Sequence, residues 1–135
     1  MLLKRGYTLD IVKNSMFSKI YEVDCFQKEF KKMTKEKLAI KPPYPRYQKW
    51  LIASLTILEE YGKDAINLEN FEQLESVKPS IYSIRYPKSK LNPRVLYVYL
   101  ENGDILLLTA FKEERKSDYT RNIKMVKKRL KALDA

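Results

Sequence analysis

The side chains of this sequence that can act in chemistry are those of arginine, lysine, tyrosine, aspartate and glutamate, because the chain has no histidine. Without imidazole, a Ser-His-Asp triad, paired-histidine ribonuclease chemistry and any zinc or iron site that depends on histidine are excluded. Cys25 is the only cysteine, so the chain can form neither an internal disulfide nor a multi-cysteine metal site. We therefore expect chemistry that needs no metal and no cofactor, and we interpret Cys25 as a small apolar residue rather than a nucleophile.

Basic residues exceed acidic ones, and the excess is concentrated in the C-terminal third. The chain has 27 Lys and Arg against 17 Asp and Glu, which gives a net charge of +10. Residues 85–131 alone carry 13 basic and 5 acidic side chains. This distribution favours a polyanionic partner, either a nucleic acid or an acidic protein. The alternative is that lysine-rich helices keep a small protein soluble.

The elements that must position these side chains belong to one domain of 135 residues, in which residues 1–17 have no assignment. Alternation of apolar and polar residues over 19–25 predicts a strand. A short amphipathic helix follows from Phe26, with lysines between its apolar positions. Three prolines then form a stiff connection to a second helix, which carries the lone tryptophan and closes at Gly62.

The second half of the chain predicts three strands, over residues 81–86, 95–100 and 105–108. Asn102 and Gly103 join the last two, and this pair predicts a type I′ hairpin turn in which both residues have positive φ. A basic amphipathic helix follows the third strand. The order of elements predicts an α+β fold with a small antiparallel sheet, an N-terminal helical hairpin and a C-terminal helix.

Several short segments of the second half lie in a characteristic order: FEQL at 71–74, IYSIRY at 81–86, PRVLY at 93–97, ILLL at 105–108, FKEERK at 111–116, Tyr119 and KKRL at 127–130. In this order they resemble the RelE/ParE toxin superfamily, and specifically its HigB-like branch. The resemblance implies a single RelE-like toxin domain from a type II toxin-antitoxin system. It also implies a metal-independent, ribosome-dependent mRNA endonuclease that inhibits translation. The implied partners are a cognate helix-turn-helix antitoxin (HigA-like), mRNA and the ribosome.

The resemblance further implies roles for residues at matching positions. Cleavage by 2′-hydroxyl attack needs donors on the phosphate, which guanidinium groups supply in a bidentate fork. Arg94 lies where the family has an arginine on the scissile phosphate, and Tyr119 lies where RelE-type members stack a tyrosine on a base. The alternatives are a surface arginine on a strand for Arg94 and an aromatic packed on the sheet for Tyr119. The implied catalytic residues are Arg85, Arg94, Lys112, Arg115 and Tyr119, and the implied RNA-binding residues are Lys88, Lys90, Lys116, Arg121 and Lys124.

The sequence departs from the family at Glu113, where RelE-type enzymes have a transition-state arginine, and it lacks the histidines that some HigB-like members use. We expect Arg94 and Arg115 to lie on an exposed face. We interpret Glu113 beside Glu114 as a solvated loop charge, although an isolated carboxylate can act as a general base.

Two other functions stay open on these residues, namely inhibition of DNA gyrase, as in ParE-like relatives, and nucleic-acid binding without toxicity. The sequence has no apolar run long enough for a membrane helix and no signal-peptide core. We therefore expect a cytoplasmic protein without a membrane partner.

Overall fold

The computed structural model describes residues 9–75 and 80–134, so residues 1–8 of the unassigned N-terminal segment lie outside the described residues. The chain forms six strands, three α-helices and one 3₁₀ helix within these ranges, and the α+β class is confirmed. Their order is β1 (Ile11–Lys13), β2 (Ile20–Val23), α1 (Phe26–Thr34), α2 (Arg46–Tyr61), the 3₁₀ helix (Gly62–Asn67), β3 (Phe71–Glu75), β4 (Ile81–Arg85), β5 (Pro93–Tyr99), β6 (Ile105–Lys112) and α3 (Lys116–Asp134).

The strands form one sheet in the order β1-β2-β6-β5-β4-β3. The predicted meander is present, because β4 pairs with β5 and β5 with β6, both antiparallel. The expectation of a small antiparallel sheet was wrong, since the sheet has six strands and β2 pairs with β6 in parallel, with Ile20 opposite Ile105. A parallel pairing between strands so distant in the chain leaves no trace in local periodicity. The three residues of β1 are all exposed, so this edge strand also lacks an alternating pattern.

The core lies on both faces of the two central strands. Every residue from Pro93 to Val98 in β5 and from Ile105 to Phe111 in β6 is buried. Strands that are buried in this continuous way must be packed on both faces of the sheet. This explains why the sequences of these strands are unbroken apolar and aromatic runs. The only tryptophan is half-buried on α2, where the Trp50 ring stacks on Tyr86 at 5.6 Å between centroids.

The helices begin and end for local reasons. Helix α1 buries Phe26 and Phe30 and ends where Lys35 adopts a left-handed conformation, with its N–H donating to the Lys31 carbonyl at 2.8 Å. Helix α2 starts directly after Pro45 and ends at Gly62, whose φ of 55° suits glycine. None of the helices in the described ranges is long and apolar enough to cross a membrane.

The hairpin between β5 and β6 lies where it was predicted, but its turn is different. Among the residues of this loop, only Gly103 has a positive φ, at 90°, so a type I′ turn was the wrong prediction. The Leu100 N–H donates to the Asp104 carbonyl at 2.7 Å, and the Asn102 side-chain oxygen accepts the Asp104 N–H at 3.0 Å. The Asn102 side chain thus closes a longer loop, which leaves only one residue in need of positive φ.

Candidate functional site

Arg94, on β5, is buried. It lies directly opposite Arg85 on β4 and Phe111 on β6, and its side chain is only 6 % exposed. Its Nε donates to Glu113 Oε1 at 2.9 Å, its Nη2 forms an ion pair with the same oxygen at 2.8 Å, and its Nη1 donates to the Pro93 carbonyl at 3.2 Å. The expectation of an exposed arginine was therefore wrong, because an acidic partner from the next loop makes its burial tolerable.

Glu113 is not a solvated loop charge, which corrects the interpretation made from the sequence. Its side chain is 22 % exposed, and both of its contacts with Arg94 go to the same oxygen, Oε1. Its backbone is held as well, because the Glu113 N–H donates to the Asn92 carbonyl at 3.0 Å and the Asn92 side-chain amide donates to the Glu113 carbonyl at 3.1 Å. Asn92 thereby fastens the β4–β5 loop to the segment that follows β6.

Tyr119, near the start of α3, is packed on the sheet. Its hydroxyl shares a hydrogen bond of 3.0 Å with Ser83 Oγ, and its ring meets Phe111 edge to face at 5.2 Å between centroids. The Arg94 guanidinium lies 5.8 Å from the ring centroid. Burial raises the pKa of Tyr119, so its hydroxyl stays protonated at neutral pH. These contacts are those of the aromatic packed on the sheet, and the stacking of Tyr119 on a base stays a prediction.

Arg85 lies on the same side of the sheet as Ser83, as alternation along the strand predicts. It pairs with Glu72 of β3 at 3.4 Å, and both side chains are more than a third exposed. Its Nε is buried without a hydrogen-bond partner among the described residues. Arg85 and Arg94 are thus neighbours on adjacent strands, but they form ion pairs with different carboxylates, those of Glu72 and Glu113.

Lys112 is the last residue of β6, because this strand extends beyond the predicted 105–108, and Arg115 lies in the loop that follows it. Both are exposed, as expected for Arg115. The Lys112 side chain is 49 % exposed and lies 3.8 Å from the Glu114 carboxylate. Arg115 is exposed, and its backbone N–H donates to Asp118 Oδ2 at 2.9 Å. The Glu114 N–H donates to the same oxygen at 2.7 Å, and these two donors hold the pKa of Asp118 below its usual value. Asp118 therefore fixes the loop that carries Glu114 and Arg115 to the first turn of α3.

A cavity of about 360 Å³ opens between the β4–β5 loop and the segment after β6. Lys90 and Leu91 line one side, and Lys112, Glu113 and Glu114 line the other. Tyr47 of α2 completes the wall, and its hydroxyl accepts the Leu91 N–H at 3.0 Å. Two lysines and two glutamates, one of which is bound to Arg94, therefore border one space large enough for a nucleotide fragment.

The remaining residues predicted to bind RNA are spread over two elements. Lys88 lies in the β4–β5 loop with Lys90, and Lys116 and Lys124 lie on α3, all of them exposed. Arg121 is also exposed, but its Nη2 donates to Asp118 Oδ1 at 2.8 Å. Lys90 and Lys112 are the members of the two predicted sets that meet around the cavity.

The sequence interpretation missed the residues that hold this site together, which are Tyr47, Glu72, Ser83, Asn92 and Asp118. Each of them acts through a partner on another element or through backbone geometry. The one local signal was Asp118 in the first turn of a predicted helix, where a carboxylate is typical of a cap. Within residues 9–75 and 80–134, no group of three or more cysteine or carboxylate side chains is placed to hold a metal ion.

Comparison with models of known protein families finds no match, and comparison with curated proteins finds none either.

Proposed function

We propose that the protein is the toxin of a type II toxin-antitoxin pair and that it cuts mRNA on the ribosome, in the cytoplasm. A cognate helix-turn-helix antitoxin would neutralise it. The observation that carries this proposal is the cavity bordered by Lys90, Lys112, Glu113 and Glu114, beside the buried Arg94. Exposed cations around a cavity of nucleotide size suit a phosphodiester, and the ordered resemblance of segments 71–130 supports the same class of function.

The geometry redistributes the roles within that function. Arg94 is held by Glu113 and Pro93, so we assign it the role of a positioning residue for the Glu113 carboxylate. The phosphate contacts then fall to Lys112 and Lys90, which are exposed and border the cavity. Ammonium groups act there as point charges, and such contacts typically stabilise developing negative charge on the phosphate by several kcal/mol.

Glu113 is the candidate general base in a chain that has no histidine. Among the described residues, Oε1 takes both the hydrogen bond from Arg94 Nε and the ion pair with Nη2, and Oε2 accepts no hydrogen bond, so we assign Oε2 to a substrate hydroxyl. In the proposed step, Oε2 takes the proton of the 2′-hydroxyl, and O2′ attacks the phosphorus. The bond from phosphorus to O5′ breaks, and O5′ takes a proton from the Lys112 ammonium. The products are a 2′,3′-cyclic phosphate and a 5′-hydroxyl.

The test is single-turnover cleavage of mRNA on programmed ribosomes by Glu113→Gln and by the neighbouring Glu114→Gln. Both changes remove one negative charge from the same loop, but the Glu114 side chain is 63 % exposed and its carboxylate pairs with Lys112 only at 3.8 Å. Loss of a general base lowers the rate by about a hundredfold or more, so we expect that loss in Glu113→Gln and less than about a threefold change in Glu114→Gln. Equal rates in the two variants would remove Glu113 from the mechanism.

A second function, inhibition of DNA gyrase by binding, is favoured by one specific observation. The guanidinium of Arg94 is fully engaged with Glu113 and Pro93, and the Tyr119 hydroxyl is engaged with Ser83. A toxin that only binds its target has no need of these groups. Wild-type protein that arrests growth, leaves ribosome-bound mRNA intact and inhibits supercoiling by purified gyrase would favour this function over the nuclease.

A further inference from the structure

Helix α1 presents a row of lysines that the proposed cleavage site does not use. Lys28, Lys31, Lys32 and Lys35 follow the i, i+3, i+4, i+7 spacing of one helix face, and Lys37 continues the row beyond the helix. All five side chains are exposed and line a groove of about 730 Å³. We call these five residues the α1 lysine face. Its opposite side is buried in the core through Phe26 and Phe30.

The α1 lysine face is not balanced by nearby carboxylates. None of the ion pairs in the described part of the chain includes one of its lysines. Glu29, on the same helix, pairs with Arg129 of α3 and accepts a hydrogen bond from Thr109. Glu36 lines the groove, but its carboxylate accepts the N–H groups of Tyr47 and Gln48 at 2.9 and 3.1 Å. The groove therefore carries an excess of positive charge, since five lysines and one glutamate line it.

The same contacts join the α1 lysine face to the candidate site. Glu36 lies between Lys35 and Lys37 and is bonded to Tyr47, which lines the cavity with Lys90. The start of α2 therefore lies between the lysines of α1 and the lysines around the cavity.

The composition of the groove distinguishes between possible polyanions. Protein interfaces are depleted in lysine and need buried aromatic or aliphatic anchors, whereas this groove is lined by lysines and one glutamate. Membrane binding by an amphipathic helix needs an apolar face free to enter the bilayer, and the apolar face of α1 is committed to the core. Lysines on flexible stems, without sequence-reading side chains between them, suit the phosphate backbone of a nucleic acid.

We infer that the α1 lysine face binds the phosphate backbone of structured RNA, as a contact separate from the cavity. Its contribution is electrostatic and independent of base sequence, because lysine ammonium groups release counterions from phosphates without reading bases. The inference goes beyond the proposed cleavage and does not depend on it.

Two triple variants with identical spacing test the inference. Lys31→Gln/Lys32→Gln/Lys35→Gln alters the α1 lysine face, and Lys127→Gln/Lys128→Gln/Lys131→Gln alters exposed positions of α3 at the same i, i+1, i+4 spacing. Each variant lowers the net charge by three. Affinity for a short fluorescein-labelled RNA duplex is measured by fluorescence anisotropy between about 50 and 200 mM salt.

We expect the α1 variant to lose at least about tenfold in affinity at low salt, and its log–log salt slope to fall by roughly two to three. The α3 variant should stay within about twofold of the wild type. Lys31→Arg/Lys32→Arg/Lys35→Arg should retain binding, which separates charge from folding.

Equal losses in the α1 and α3 variants would overturn the inference in favour of a general effect of net charge. The inference is also overturned, in favour of a lipid surface, by the following result. The α1 variant binds the RNA duplex as well as the wild type does, but it binds vesicles of phosphatidylcholine and phosphatidylglycerol more weakly. Because the assay involves no cleavage, failure of the nuclease proposal leaves its outcome intact. Failure of the α1 variant to lose affinity likewise leaves the cleavage proposal standing.

Discussion

Removing the charge of Glu113 should destabilise the folded protein measurably, because Arg94 would then be a buried cation without an anionic partner. In Glu113→Gln the amide oxygen can still accept one hydrogen bond from Arg94, but the ionic attraction is gone. The Arg94 side chain is 6 % exposed and cannot turn to water without disturbing β5. The free energy of unfolding is therefore expected to fall.

The magnitude follows from the burial of the two partners. Removing one member of a fully buried ion pair costs about 3–5 kcal/mol. Glu113 is 22 % exposed, so water already screens part of the attraction, and glutamine retains a hydrogen bond. We therefore expect a loss of about 2 kcal/mol, which for a chain of this size lowers the melting temperature by roughly 6–10 °C.

Urea unfolding followed by Trp50 fluorescence measures this loss, because the indole is half-buried and stacked on Tyr86. The matched control is Glu114→Gln, whose exposed carboxylate should contribute less than about 0.5 kcal/mol. A double-mutant cycle with Arg94→Met should give a coupling energy of at least about 1 kcal/mol. A coupling near zero, or equal losses in Glu113→Gln and Glu114→Gln, would refute the claim that this pair holds the site.

Two further predictions concern pH and thiol reactivity. Backbone N–H groups lower the pKa of Asp118 below its ordinary value of 3.8, so the stability it contributes is present above that value and is lost as the pH falls through the lower pKa of the folded state. The difference in unfolding free energy between wild type and Asp118→Asn should therefore shrink between about pH 5 and pH 1, and a difference that is constant with pH would contradict this. Burial and the nearby Glu29 carboxylate raise the pKa of Cys25, so iodoacetamide should alkylate it several-fold more slowly at neutral pH than a cysteine in an unstructured peptide. Equal rates would show that the thiol is not shielded, and Cys25→Ala should retain whatever toxicity the wild type has.

Much of the fold was predictable because its helices and central strands have strong local periodicity. Phe26 and Phe30 on α1, and the apolar runs of β5 and β6, identify their elements without any tertiary information. The parallel pairing of Ile20 with Ile105 was not predictable in this way, since nothing near either residue specifies the other. The turn at Gly103 was placed correctly but given the wrong type, because the Asn102 side chain forms its own hydrogen bond.

The candidate site was less predictable than the fold. The exposure of Arg115 in the loop before α3 was predicted, and the structure agrees, whereas the third strand is longer than predicted and includes Lys112. The burial of Arg94 was missed because it depends on Glu113. This glutamate follows the end of another strand, and a charged residue at such a position is ordinarily expected to be solvated. An arginine and a glutamate separated by a hairpin carry no spacing rule, so their pairing is visible only once β5 and β6 are in register.

The position of β6 in the sheet determines the order in which the molecule can be completed during synthesis. This strand lies between β2 and β5, and its Thr109 hydroxyl donates to Glu29 of α1 at 3.0 Å, yet the ribosome makes β2 and α1 long before it makes β6. Until residues 105–112 have been synthesised, Ile20, Phe26 and Phe30 lack the central strand β6 to pack against. Folding is therefore delayed until the C-terminal part of the chain has been translated, as expected for non-local pairing. A nascent chain still attached to its own ribosome thus lacks the assembled basic surface for most of its synthesis.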